Sequence, residues 1–268
     1  MINLIIFSKD RAMQLHGLLA SLKTNCDIFD NIHIIIKWSD DDYKKAYLEL
    51  AENSYIGNEF YWYEEGCEPF KEKILQLMLN KYTCFMVDDL IAYRKLKNQQ
   101  DITGDTLLTV ESNGIFSLRL GGNIRHCPEE TFVESNDNEV GFTFDWSQYK
   151  KYWGYPFSVD GHVFRTDYIK PIIQRIKFNS PNKLEAHLQG YVPQAPKQMS
   201  CFNQSVVVSI PVNRVSNTAT ASYGEFFPHT AKELNDKFLA GERMDWEAMN
   251  FSDIKSPHQE VEFKFKTV

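Results

Sequence analysis

Two adjacent carboxylates, Asp88 and Asp89, end the run Tyr82 to Val87 and are the first residues of this chain whose types suggest chemistry. Thr83 to Val87 have the β-branched, aromatic and continuously apolar character of a strand covered on both faces, and parallel α/β sheets place ligands beyond the carboxyl ends of such strands. Neighbouring carboxylates repel and are costly to bury unpaired. A hard divalent cation with oxygen ligands, bridging to a diphosphate, is therefore a natural companion. The alternative is an N-cap role in which the Asp simply closes the strand.

The elements that must position this pair alternate from the N-terminus. Ile2 to Phe7 predicts a strand, and Arg11 to Lys23 predicts a helix with Met13, Leu15, Leu18, Leu19 and Leu22 on one face. Ile32 to Trp38 is a second strand; Ser39 with Asp40, Asp41 and Asp42 opens a helix that turns Tyr43, Ala46, Tyr47 and Leu50 inward. Phe60 to Tyr63 is a third strand, and Pro69 starts a helix through Asn80.

After Arg94 the alternation lapses. Lys95 to Asp105 reads as a loop or short helix, Leu107 to Val110 is a brief apolar run, Phe116 to Gly121 is strand-like, and Pro128 to Val140 is an acidic loop. Phe142 to Trp146, Trp153 to Phe157 and His162 to Arg165 predict antiparallel strands, with Asp160-Gly161 a turn between the last two. Helical patterns return at Tyr168 to Ile176 and Asn182 to Leu188, Ser205 to Ile210 is a last strong strand, and the capping box Thr230 to Glu233 opens a helix that Gly241 stops.

A chain of 268 residues with 43% hydrophobic and 14% aromatic content has material for one large α/β domain. A net charge of −7 without a long basic run argues against nucleic acid as a partner. Five scattered cysteines, with no CxxC pair, indicate neither a disulfide framework nor a zinc site and point to a reducing, cytoplasmic setting. No segment approaches a membrane span, so no transmembrane segment is expected.

Three stretches in order, IIFSKDRAMQLHGLLASL from Ile5, VDD at 87–89 and LEAHL at 184–188, give the chain a resemblance to GT-A type glycosyltransferases, more loosely to family 2. The first is similar to that family's opening strand and helix, the second to its DxD-type metal motif, the third to the helix start that carries its catalytic acid. VDD is followed by Leu90, so only Asp89 holds a clear last-Asp position. The resemblance implies a single GT-A domain over 1–268: a nucleotide-binding half at 1–94, a donor-sugar and acceptor half at 95–228 and a helical tail at 229–268. It also implies a nucleotide-diphospho-sugar donor, a carbohydrate or lipid-linked acceptor, and Mn²⁺ or Mg²⁺ as cofactor.

The roles that follow are expectations. Asp89 would ligate the metal. Asp88 would meet the ribose or support the metal, because successive side chains of an extended segment face opposite ways. Phe7, Ser8 and Arg11 would bound the nucleotide crevice, Arg11 meeting a phosphate or else pairing with surface acids. Ser39 would touch the base or cap its helix. Glu185 would be the general base, or an ordinary first-turn Glu; Asp160 is its rival, able with Gly161 to bind donor-sugar hydroxyls, or simply a turn residue. Arg119 would meet donor or acceptor, or lie exposed on its strand. His229 would be a further metal ligand or a structural residue beside its helix. The aromatic groups at 60–63 and 146–155 would stack on sugars or pack in the core.

Two rivals remain. A sugar nucleotidyltransferase calls for a glycine-rich phosphate loop after the first strand, which FSKDRAMQL lacks. A catalytically inactive sugar- or nucleotide-binding module is the other.

Overall fold

Apolar runs buried on both faces dictate a sheet with covering layers on each side, and the chain builds one. The computed structural model describes residues 2–52, 60–96, 114–127, 141–215 and 224–268. Its first half alternates β1 (Ile2–Lys9), α1 (Ala12–Asn25), β2 (Asn31–Lys37), α2 (Asp41–Glu52), β3 (Tyr61–Glu64), α3 (Phe70–Leu77) and β4 (Tyr82–Val87). All four strands run parallel, in the order β3-β2-β1-β4. β1 pairs with β2 and β4 in registers that set Phe7 opposite Ile35 and Val87, so three strands end on one edge.

The second half extends this sheet with mixed pairing. Short β5 (Leu90–Ala92) leaves it; β6 (Ile115–Gly121), β7 (Phe142–Asp145), β8 (His162–Arg165) and, after α4 (Thr166–Arg175) and α5 (Pro181–Leu188), β9 (Gln198–Phe202) complete eight strands in the order β3-β2-β1-β4-β8-β6-β9-β7. β8 is antiparallel to both β4 and β6. β10 (Val207–Ser209) pairs antiparallel with β5, Ser209 opposite Leu90. After α6 (Ala231–Leu239), β11 (Glu242–Met244) and β12 (Phe265–Thr267) form a second small antiparallel sheet.

Some expectations change. Trp153 to Phe157 is a turn and coil segment rather than a strand: Trp153 is buried, and its indole donates to the Arg125 carbonyl at 2.9 Å. The expected helical tail holds one α-helix, capped by Thr230 as predicted and ended at Gly241, whose φ of +87° suits glycine; a strand pair follows. Helix α3 stops at Leu77, short of Asn80. Leu107 to Val110, most of Lys95 to Asp105 and Pro128 to Val140 lie outside the described residues.

Candidate active site

The carboxyl ends of β1 and β4 carry the first cluster. At Asp10 the chain leaves β1 with φ +55°, a left-handed conformation that Asp tolerates better than most residues, and turns into α1. Ser8 Oγ donates to Asp88 Oδ2 at 2.9 Å and the Lys9 amide donates to the same oxygen at 3.1 Å. Arg11 Nη1 lies 3.0 Å from Asp88 Oδ1 and 3.3 Å from Asp89 Oδ2. Asp88 and Asp89 follow β4 in a turn, so they do not face opposite ways as extended residues would; one guanidinium gathers both.

The rest of the cluster comes from afar. The pairing of β5 with β10 brings Ser209 beside Asp89, and its hydroxyl donates to Asp89 Oδ1 at 3.0 Å. Asn213 Oδ1 accepts from Arg11 Nε at 2.8 Å, and the Asn213 carbonyl accepts from Nη2. Burial opposes the Arg11 charge, but the two carboxylates outweigh it and hold its pKa above the ordinary value. Burial pushes Asp88 up to about 6 against the pull of Arg11, and it also raises Asp89.

A second cluster faces the first. Gly161, at φ +87°, turns the chain into β8; its amide donates to the Phe85 carbonyl at 2.8 Å, and its carbonyl accepts from Leu118 N at 2.9 Å. Asp160 is thereby fixed beside β4 and β6. Arg119, buried on β6 rather than exposed, donates from Nη1 to Asp160 Oδ2 at 3.1 Å and to Ser158 Oγ. Its Nη2 lies 2.9 Å from His258 Nε2. A guanidinium only donates, so Nε2 is the acceptor and His258 carries its proton on Nδ1. Burial, then Arg119, lower the pKa of that histidine to about 3, so it stays neutral.

Glu185 stands in the second turn of α5, whose N-cap is Ser180 with Pro181 next, and its Oε1 accepts from the Val159 amide at 3.2 Å. Burial pushes this carboxyl up to about 7; the nearby Asp160 carboxylate adds to the rise, and Arg119 opposes it. Asp160 is itself raised by burial against Arg119.

Phe7, Ser8, Arg11, Asp88, Asp89, Asp160 and Glu185 all line one cavity of about 610 Å³. Ser39, Gly161 and Arg119 do not. Ser39 gives its amide (2.7 Å) and hydroxyl (2.6 Å) to the Asp10 carboxylate, and Asp40 caps α2 instead, accepting from Asp42 N and Tyr43 N. Arg119 works from behind Asp160, and Arg11 meets neither Asp10 nor Asp40 to Asp42 but the Asp88 and Asp89 pair. His229 sits beside α6 against Glu233 and Phe263. Of the aromatic groups, Trp146 and Trp153 are buried in the core, while Tyr61, which is exposed, and Tyr63 lie against His33.

The sequence did not single out Tyr47, Ser209, Asn213 or His258 as site residues. Tyr47 had a signal, an inward place on α2; its buried hydroxyl lies 2.6 Å from Ser8 Oγ and accepts from the Arg11 amide at 3.1 Å. The others depend on long-range pairing. Ser209 bridges to His258 and accepts from Gln259 N at 3.0 Å, a contact with no local pattern.

An Mn²⁺ or Mg²⁺ ion on Asp89 fits this arrangement poorly. Both oxygens of Asp88 and both of Asp89 already accept hydrogen bonds. Among the described residues no three His, Cys, Asp or Glu side chains are grouped to hold a metal ion.

No family model and no curated protein matches the chain by sequence. Among solved structures it is similar to a crystal structure of S. aureus TarS, with a TM-score of 0.50 and 13% identity over 78% of this chain. The fold is of the GT-A type. The chain spans 36% of that TarS chain. Two further similarities are to residues 1–349 of S. aureus TarS in complex with UDP-GlcNAc (TM-score 0.49, 12% identity, 83% of this chain and 61% of that one) and to the galactosyltransferase LgtC in complex with donor and acceptor sugar analogs (0.37, 11%, 69% and 70%). Fold does not decide reaction, which depends on the residues of the cavity itself. Among the described residues no helix is long and apolar enough to cross a membrane.

Proposed function

We propose that this chain is a glycosyltransferase that takes a sugar from a nucleotide-diphospho-sugar and joins it to a hydroxyl of a carbohydrate or lipid-linked acceptor with inversion. One observation carries the reading: Glu185, with a carboxyl pushed up to about 7, lines the cavity at the carboxyl ends of the parallel strands of a GT-A sheet, facing Asp160. A base poised near neutrality is what deprotonating a sugar hydroxyl in the transition state calls for. The cavity volume suits a small-molecule ligand.

The bonds balance simply. As the acceptor oxygen attacks the anomeric carbon, its proton passes to Glu185. The bond from that carbon to the diphosphate oxygen breaks on the opposite face, and the nucleoside diphosphate leaves with the electron pair. Asp160, held by Arg119 at 3.1 Å, serves as a fixed acceptor for donor-sugar hydroxyls. The test is a thermal-shift panel of nucleotide-diphospho-sugars. A ligand bound only by the native state raises the melting temperature by mass action, so at least one donor should do so. No shift with any donor at millimolar concentration would contradict the proposal.

A further inference from the structure

Arg11 does for Asp88 and Asp89 what a divalent cation would otherwise do. Its Nη1 reaches a carboxylate oxygen of each, and the two remaining oxygens accept from Ser8, Lys9 and Ser209. Nε and Nη2 are committed to the side chain and carbonyl of Asn213. A hard divalent cation needs about six oxygen ligands, and one brought to these two carboxylates would sit against, and be repelled by, a guanidinium held at every nitrogen.

The residue that holds Arg11 also offers a donor. Because Nε can only donate, the amide atom facing it is Oδ1, which fixes the Asn213 side chain and turns Nδ2 the other way. Nδ2 is buried with no partner among the described residues, and Asn213 lines the cavity. Such an orphan donor is costly to bury unless a ligand accepts from it. Lys9, whose Nζ lies 3.1 Å from the Val215 carbonyl, and Arg214 line the same wall.

We infer that the donor's diphosphate is held in this cavity without a divalent cation, its oxygens accepting from Lys9, Arg214 and Asn213 Nδ2 while Arg11 stays locked on Asp88 and Asp89. The inference rests on the proposed glycosyl transfer and names how its donor is bound.

Calorimetry with UDP, GDP, CDP, ADP and TDP, each in EDTA and in millimolar Mn²⁺, tests it on the full chain. At least one diphosphate should bind with affinities within about threefold in the two conditions. Binding that falls tenfold or more in EDTA would overturn the metal-free site and leave the transferase reading standing. Failure of every diphosphate to bind in either condition would overturn that reading and the inference with it. Two further measurements bear on the site alone. Titration of the protein into Mn²⁺ should leave the free-ion electron paramagnetic resonance signal undiminished, and stoichiometric loss of signal would overturn the inference. Lys9→Gln and Arg214→Gln, confirmed folded by circular dichroism, should each weaken diphosphate binding roughly tenfold by removing a charge-assisted donor. Unchanged affinity in both would overturn it too.

Discussion

Arg119 and Asp160 form an ion pair inside the cavity wall, Nη1 to Oδ2 at 3.1 Å, with both residues buried. Breaking a buried pair from one side leaves an uncompensated charge, which is far more costly than the net worth of the pair. Arg119→Met should therefore destabilise the protein by about 3–5 kcal/mol, and adding Asp160→Asn should recover part of that loss. Urea unfolding at pH 7 checks both; a single-variant loss below about 1 kcal/mol would contradict the pairing.

Glu185→Gln should separate chemistry from donor binding. The carboxamide keeps the shape and removes the base, so turnover at saturating donor and acceptor should fall by ~10²–10⁴-fold with donor affinity little changed. A near wild-type rate, with collapse in Asp160→Asn, would move the base assignment to Asp160.

The pH dependence follows from the same carboxyl. As the proposed base, Glu185 would have to be ionised to act, so kcat/KM should rise with pH through an acid limb near 7. Asp160 raises that pKa, so any residual activity of Asp160→Asn should show the limb shifted to lower pH. Stability moves the other way. The folded pKa of about 7 lies above the ordinary 4.5, so the native state keeps its proton longer; this group's contribution is full below about 4.5 and lost as pH rises to about 7. Glu185→Gln should thus gain up to ~3 kcal/mol relative to wild type between pH 4 and 8, read from parallel urea titrations.

Periodicity reached the parallel half well. β1, β2 and β4 are apolar on both faces, α2 and α3 bury one side while α1 is buried nearly all round, and these patterns placed Phe7, Ser8 and Asp88 at one edge. Sequence reasoning failed where side chains rather than elements decide. Arg119 sits in a strand pattern that says nothing of its burial, and the partner that hides it, Asp160, is 41 residues away. By sequence Arg11 reads as a partner for a phosphate or for surface acids, but its ligands come from the turn after β4 and from Asn213, 202 residues on. Trp153 to Phe157 has strand-forming residues, but Trp153 is buried against Phe144 with its indole on the Arg125 carbonyl, and the segment runs as turn and coil. The aromatic groups look alike by type, yet Trp146, Trp153 and Phe157 are core while Tyr61 stays exposed, a difference set by burial that residue type does not show.

Tyr47 shows the cost of such distant contacts in one atom. Ser8 Oγ gives its only proton to Asp88, so the Tyr47 hydroxyl donates to Ser8 while accepting from the Arg11 amide. Tyr47→Phe removes both bonds and leaves the half-buried Arg11 amide without its partner, with an expected loss of about 1–3 kcal/mol in chemical denaturation. A loss within error of zero would mean the hydroxyl does not hold the Arg11 turn.

If the cavity breaks the bond between a sugar and a nucleoside diphosphate as proposed, phosphorus NMR of a turnover mixture reads that cleavage itself. With the nucleotide-sugar that stabilises the protein and a suitable acceptor, nucleoside diphosphate should accumulate one for one with glycosylated acceptor and fall away from the products of Glu185→Gln. Release of pyrophosphate from a nucleoside triphosphate and sugar phosphate instead, or no change in the phosphorus spectrum with any donor, would contradict it.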